Sequence, residues 1–200
     1  MRNRNSWEVG PRAVWVLIIL NLIVFVITLI KPGIIDLLAV QRSTLASQPW
    51  TIFTSLFVHA SWLHIFGNMY MLWFYGDFLE RLIGEVRFLL VYFIGGLIGN
   101  ALFLLIANPN AAAVGASGAV LALGGALAVI RPKIKVMIFP LPVPMDLWVS
   151  VLITGALLGI LLPFLSGSSD IGWEAHLGGI LAGVAAGWYF RRWERRRGIY

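Results

Sequence analysis

Polar and apolar positions in this chain do not alternate on the scale of a soluble fold; they form six long apolar blocks parted by short polar breaks. A hydrocarbon layer of about 30 Å takes roughly 20 helical residues to cross, so runs of about 17 to 25 are the informative ones. The first extends from Ala13 to Ile30, between Arg12 and the break Lys31-Pro32-Gly33. The second runs from Leu63 to Leu79 and closes at Glu80-Arg81, and the third, Phe88 to Ala107, stops at the helix-breaking Asn108-Pro109-Asn110. The fourth starts near Ser117 and ends before Arg131-Pro132; a fifth covers Asp146 to Leu162 and stops at Pro163; a sixth runs from Trp173 to Phe190 into an arginine-rich tail. The pattern predicts an all-α membrane protein of one domain over residues 1–200, with a short N-terminal segment 1–12 and a basic tail 191–200. The first block is too long for a signal-peptide core and no A-x-A site follows it, so it reads as a retained helix. Residues 31 to 58 remain moderately apolar, with Ile34, Ile35, Leu37, Leu38 and Trp50, and are expected to lie in the membrane interface.

Composition sharpens this picture. Hydrophobic residues make up 60% of the 200 and charged residues 12%, against about 25% in ordinary soluble domains, and the mean hydropathy is +0.87. A water-soluble enzyme is excluded. The absence of cysteine excludes disulfides, thiolate metal sites and a cysteine nucleophile.

The net charge of +6 gains meaning from its distribution. With six spans, one side carries Arg2, Arg4, Arg12, Arg81, Arg87, Arg131, Lys133, Lys135, Arg191, Arg192, Arg195, Arg196 and Arg197, and the other only Lys31 and Arg42. Positive charge collects on the cytoplasmic side, so both termini are expected there and the protein in the cell (plasma) membrane. The basic tail is expected to meet anionic headgroups and no nucleic acid. Trp7, Trp15, Trp50, Trp62, Trp148, Trp173, Trp188 and Trp193 lie near span ends as interfacial anchors. Pro140, Pro142 and Pro144 read as a rigid connector into the fifth span.

Against so apolar a background a few polar residues stand out, since such groups in lipid usually face a protein interior or a wet cavity. They are His59, His64 and Asn68 around the start of the second span, Ser117 at the start of the fourth, and His176 near the start of the sixth. Helical rise places Ser117 about 21 Å from Arg131, His176 about 22 Å from Arg191, and Asn68 about 20 Å from Arg81. Three polar groups on three helices thus share one level, roughly 8 to 10 Å below the outer face. A helix starting at Ser117 is too short to cross, so residues 108 to 115 must descend to meet it, which is tolerated only in protein or beside a wet cavity. An aqueous cavity open to the outside is therefore expected, with Ser117 at its floor on a helix N-terminus that favours a developing anion.

Small residues supply the means of approach. His176, Gly179, Gly183 and Gly187 share one helical face, and the fourth span offers Gly118, Ala122, Gly125 and Ala126. If those faces meet, Ser117 and His176 come within reach as nucleophile and general base. The Ser117 N–H, with His64 and Asn68 at i and i+4, would supply oxyanion donors. Glu174, only two residues from His176 and near the rim, is a poor third member, which favours a dyad.

These residues resemble the rhomboid family of intramembrane serine proteases. The resemblance rests on Gly115-Ala116-Ser117-Gly118 as G-x-S-G, on His64 with Asn68 as H-x-x-x-N, and on Ala175-His176 followed by Gly179 and Gly183. His59 and the spacing of Gly76, Glu80 and Gly84 also fit. It implies a six-helix rhomboid-like core, a Ser117–His176 dyad, an oxyanion hole of His64, Asn68 and Ser117, and no metal or cofactor. The implied partner is another protein's transmembrane helix, cut near the outer face where it can unwind. The fifth span and residues 166 to 172 would form a lateral gate and cap. His59, Gly115, Gly118, Gly179, Gly183 and Glu80 are expected in supporting roles.

Two positions depart from the family pattern. Trp50-Thr51 stands where the family has Trp-Arg, and Leu121 stands where an aromatic commonly packs on the histidine. The rival reading is a rhomboid-like pseudoprotease that binds membrane-protein clients without cutting them; it would be expected to lack the serine or the histidine. A transporter would show paired midplane charges in symmetric halves, which are absent from the sequence.

Overall fold

The computed structural model describes residues 12–138, 141–157, 161, 165 and 172–196. Helices dominate: α1 Ala13–Ile30, α2 Trp62–Ile83, α3 Glu85–Ile106, α4 Ser117–Ile130, α5 Leu147–Ala156 and α6 Trp173–Arg196. By length and composition, α1 and α3 are long and apolar enough to cross a membrane. Their outward faces agree, for Ile19, Ile23, Val26 and Ile30 on α1 and Leu90, Ile94 and Leu105 on α3 are exposed, which only an apolar surround would tolerate at this density.

Local chemistry sets the ends of these helices. The Ser61 hydroxyl accepts the N–H of His64 at 3.2 Å and caps α2. Gly84, at φ +86°, stops α2 and lets α3 begin in the next residue. α1 carries no capping side chain of its own at Arg12; its first free N–H groups, those of Ala13 and Val14, donate to the two carboxylate oxygens of Glu80 on α2 at 3.0 and 3.1 Å. Asp77, one turn earlier, pairs with both Arg12 and Arg81. α1 and α2 are close enough that a Cβ on Gly76 would lie 2.9 Å from Val14 Cγ2.

At the centre stands α4, buried without a break from Ser117 to Leu127 and enclosed by α2, α3, α5 and α6. Among the described residues its contact with α6 is the most extensive, and α3 packs against both. A Cβ on Gly179 or Gly183 would collide with the backbone carbonyls of Gly118 and Ala122, and one on Gly187 would lie 2.6 Å from the Ala126 carbonyl. α3 comes as close: a Cβ on Gly99 would lie 2.6 Å from the Ala175 carbonyl.

Several expectations need correction. The fold is mostly helical, with two small antiparallel pairs in addition: β1 Val40–Gln41 with β2 Ala112–Ala113, and β3 Lys135–Ile138 with β4 Leu141–Asp146. The proline-rich stretch is thus strand β4, with Lys135 pairing Asp146, Val136 pairing Met145 and Ile138 pairing Leu141. Both strands of a two-stranded pair are edges, where proline's missing donor is tolerated. Strands of two to six residues carry no periodic signal, and so escape a search for long apolar runs. α2 is longer than the apolar block that announced it, ending at Ile83 beyond Glu80 and Arg81, and α6 continues through the arginines to Arg196. Two cation–π contacts accompany that extension, Arg87 over Trp193 and Arg192 over Trp188. Residues 1–11 with Trp7, most of residues 158 to 171 including the expected cap, Pro140, and the tail 197–200 lie outside the described residues.

The α4–α6 approach yields a test. Gly183→Ala puts a methyl against an unyielding backbone carbonyl and is expected to cost about 1 to 3 kcal/mol, read as a lowered melting temperature in detergent. Gly155→Ala, whose nearest neighbour would be 3.8 Å away, is expected to leave it unchanged.

Candidate functional site

Because Gly118 and Gly179 let α4 and α6 touch, Ser117, the residue before Gly118, and His176, three residues before Gly179, converge. Ser117 Oγ lies 2.6 Å from His176 Nε2, although 59 residues separate them in sequence. Ser117 is 6% exposed and the imidazole is half-buried. His176 Nδ1 finds no partner among the described residues. Glu174 is itself buried, in contrast to the rim position expected, and its Oε2 is likewise unpartnered. Among the described residues no carboxylate bonds the pair. With Nε2 facing a hydroxyl, the tautomer protonated on Nδ1 leaves Nε2 free to accept the serine proton.

The turn leading into α4 is built around Gly115, at φ +125°. A Cβ there would sit 2.8 Å from Nε2 of His64 and 3.8 Å from Ser117 Oγ. A hydrogen at this position therefore keeps open the space bounded by the serine and the His64 ring. Asn68 is fully buried one turn along α2; its Nδ2 donates to the His64 carbonyl at 2.9 Å, leaving one amide hydrogen uncommitted. Its Oδ1 has no partner among the described residues. Ser117, His176 and His64 are thus gathered around one turn.

His59 reaches the same turn from the loop between α1 and α2. Its Nε2 faces the Ala116 N–H at 3.5 Å and its Nδ1 faces the Phe57 carbonyl at 3.3 Å. An amide can only donate and a carbonyl only accept, so the ring is neutral with its proton on Nδ1. Burial, followed by the neighbouring His64 whose ring centroid is 5.0 Å away, pushes the His59 pKa down to about 3 from 6.5. The sign follows: His59 favours the folded state above about pH 6.5, and that contribution is lost as pH falls towards 3.

The loop between α1 and α2 is strapped to the segment that leads into α4. Besides the β1–β2 pair, the Ser43 N–H donates to the Pro109 carbonyl at 3.1 Å, Arg42 Nη2 to the Ala107 carbonyl at 2.9 Å, and the Gly115 N–H to the Ser55 carbonyl at 2.9 Å. Thr51 is fully buried, its hydroxyl bonded to the Gln48 carbonyl at 2.7 Å, so the position that departs from the family pattern is an internal one. Leu121, the other departure, is fully buried in α4.

Three polar features went unremarked in the sequence. Asn100 on α3 donates to the Ile52 carbonyl and to Ser55 Oγ at 2.7 and 2.9 Å. Tyr75 on α2 bonds Thr154 and Ser150 on α5 at 2.8 and 3.3 Å. Asn21 is fully buried in α1. Each is a polar residue within an apolar block, and that was the signal available.

Comparison with known proteins gives a consistent answer. A family model described as a rhomboid domain matches residues 46–193. The chain is 32% identical over 151 residues to Rhomboid protein 1, mitochondrial, of Saccharomyces cerevisiae, covering 71% of this chain and 42% of that protein. It is 34% identical to Rhomboid-like protease 3 of Toxoplasma gondii, covering 72% and 53%. It is 30% identical to the rhomboid protease GlpG of Haemophilus influenzae, covering 70% and 69%. The chain therefore spans only about half the length of the first two. The yeast relative is mitochondrial by name, and the comparisons lend no support to a plasma-membrane location.

Gly115→Ala is expected to damage this site through a single methyl. The positive φ strains any L residue, and the methyl enters the space beside His64. Reaction of Ser117 with a serine-directed fluorophosphonate should fall at least about tenfold, the factor set by roughly 1.4 kcal/mol of strain. Labelling rates by mass spectrometry would read it.

Proposed function

This chain belongs to the rhomboid family, whose members are integral membrane proteins, and from that premise we propose that it is an intramembrane serine endopeptidase acting on transmembrane helices of other proteins. The observation that carries the proposal is the 2.6 Å contact of Ser117 Oγ with His176 Nε2 at the start of a buried helix. A pseudoprotease would have no need of that pairing. The proposed arrangement has six spans, both termini on the basic side, and the site reached by water from the opposite side.

The chemistry follows from the groups present. Ser117 Oγ attacks the scissile carbonyl while His176 Nε2 takes its proton. The oxyanion so formed is met by the Ser117 N–H, His64 and the second amide hydrogen of Asn68. Collapse breaks the C–N bond, His176 returns the proton to the leaving amine, and Ser117 is left as an ester. Water, deprotonated by His176, attacks that ester, and a second collapse releases the acid and restores the hydroxyl. A helical peptide bond shields its carbonyl within its own hydrogen-bond ladder, so the substrate must unwind locally before attack. Small or helix-weakening residues at the cut site would lower that cost.

Detergent-purified protein is expected to cleave a model transmembrane substrate, with Ser117→Ala and His176→Ala both inactive by gel assay. Undiminished cleavage by both variants would overturn the proposal. Asn68→Ala removes one oxyanion donor and is expected to lower turnover by about 10² to 10³.

A further inference from the structure

Asn100 is the only side-chain amide in α3, and it is 5% exposed. Both of its donor hydrogens are committed to the loop between α1 and α2: one to the Ile52 carbonyl at 2.7 Å, the other to Ser55 Oγ at 2.9 Å. Those acceptors lie in the consecutive single turns Thr51–Thr54 and Ser55–Phe57. Ser55 then turns its main-chain carbonyl to the Gly115 N–H at 2.9 Å. Four residues on, His59 faces the Ala116 N–H. Two successive amides of the turn are thereby held by acceptors from one loop, and the next amide in the chain is that of Ser117.

Helix α4 holds the next plane, since the Ala116 carbonyl accepts the Val120 N–H at 2.9 Å, so what the loop alone fixes is the plane carrying the Gly115 N–H and, through His59, the Ala116 N–H. Gly115 has no Cβ to restrict it, and its φ of +125° is one that most residues rarely adopt. Rotation of the planes carrying the Gly115 and Ala116 N–H groups would change the angle at which the chain enters α4 and displace Ser117 Oγ from His176. Catalytic donors must hold their aim to within fractions of an ångström, so an anchor remote from the chemistry can govern rate.

We infer that Asn100 is a positioning residue for hydrolysis: it fixes the Ile52–Ser55 segment so that the Ser55 carbonyl orients Gly115 and, through it, the Ser117 nucleophile. The inference rests on the proteolytic reading and extends it to a residue that touches neither substrate nor the dyad. The connection runs from α3 through the loop to the turn, Asn100 to Ser55 to Gly115, and each step is a single hydrogen bond.

The test uses the full chain in detergent with three variants. Asn100→Ala removes the amide, Asn100→Leu removes it while roughly keeping its volume, and Thr28→Val removes a buried hydroxyl bonded to the Phe25 carbonyl on α1, a helix that carries none of the site residues. Two readouts are taken: amide hydrogen exchange of a peptide covering residues 114 to 118, and kcat and KM on the model transmembrane substrate. Both Asn100 variants are expected to accelerate exchange at 115 and 116 and to lower kcat roughly tenfold, the order set by one buried hydrogen bond, with KM changed less than about twofold. Thr28→Val is expected to change neither. Unaltered exchange in the Asn100 variants overturns the inference, as does faster exchange with unchanged kcat. An equal loss of kcat in Thr28→Val would reduce Asn100 to a contributor to stability alone and also overturn it. If the unmodified chain cleaves nothing, the proteolytic reading fails and the catalytic part of this inference falls with it, while exchange still reports whether Asn100 orders the turn.

Discussion

The distance between α4 and α6 governs everything at the site. Carbonyl oxygens of Gly118, Ala122 and Ala126 occupy the places where side chains at 179, 183 and 187 would begin, so the two helices meet backbone to backbone. In lipid there is no hydrophobic driving force to press helices together, and association relies on close packing and on weak polar contacts that close packing permits. The 2.6 Å contact between Ser117 and His176 is a geometric result of that approach. About 1 Å added along the glycine face would carry the two atoms beyond hydrogen-bond distance, with no change to either residue.

A second constraint is the short length of α4. Fourteen residues reach about 21 Å, which leaves the preceding segment to run through protein instead of lipid. Its backbone groups are satisfied by the loop between α1 and α2: β1 pairs with β2, Ser55 receives Gly115 and His59 receives Ala116. That loop serves as the wall against which the turn is formed. Its outer surface is mixed, with Leu37, Trp50 and Phe53 exposed beside Lys31, Asp36, Ser43 and Ser47.

The helices were legible because each is a long block with identifiable stops: Ala13 to Ile30 ends at Lys31-Pro32, and Ser117 follows a Gly-Ala turn. Ser117, His176, His64 and Asn68 were legible because polar residues are conspicuous among apolar ones, and a shared depth related three of them. The strands were not, since two to six residues with prolines carry no period. Glu80 was legible as a carboxylate that bonds backbone N–H groups, but its partner, the start of α1 67 residues away, was not. Asn100 shows the limit most clearly. Its polarity was visible, but its partners are carbonyl and hydroxyl groups of an irregular loop whose path no local pattern encodes. Where a side chain binds side chains on periodic elements, sequence spacing helps; where it binds loop backbone, the fold must be known first.

The Glu80 cap has a consequence for biogenesis. The free N–H groups at the start of α1 are neutralised by a carboxylate synthesised 67 residues later, after the whole intervening loop. At translation rates of about 5 to 20 residues per second, roughly 3 to 13 seconds pass before that partner exists. During this interval α1 has an open, partly positive end and no fixed neighbour. α1 can therefore reach its capped final position no earlier than the synthesis of α2, the antiparallel neighbour that carries the carboxylate.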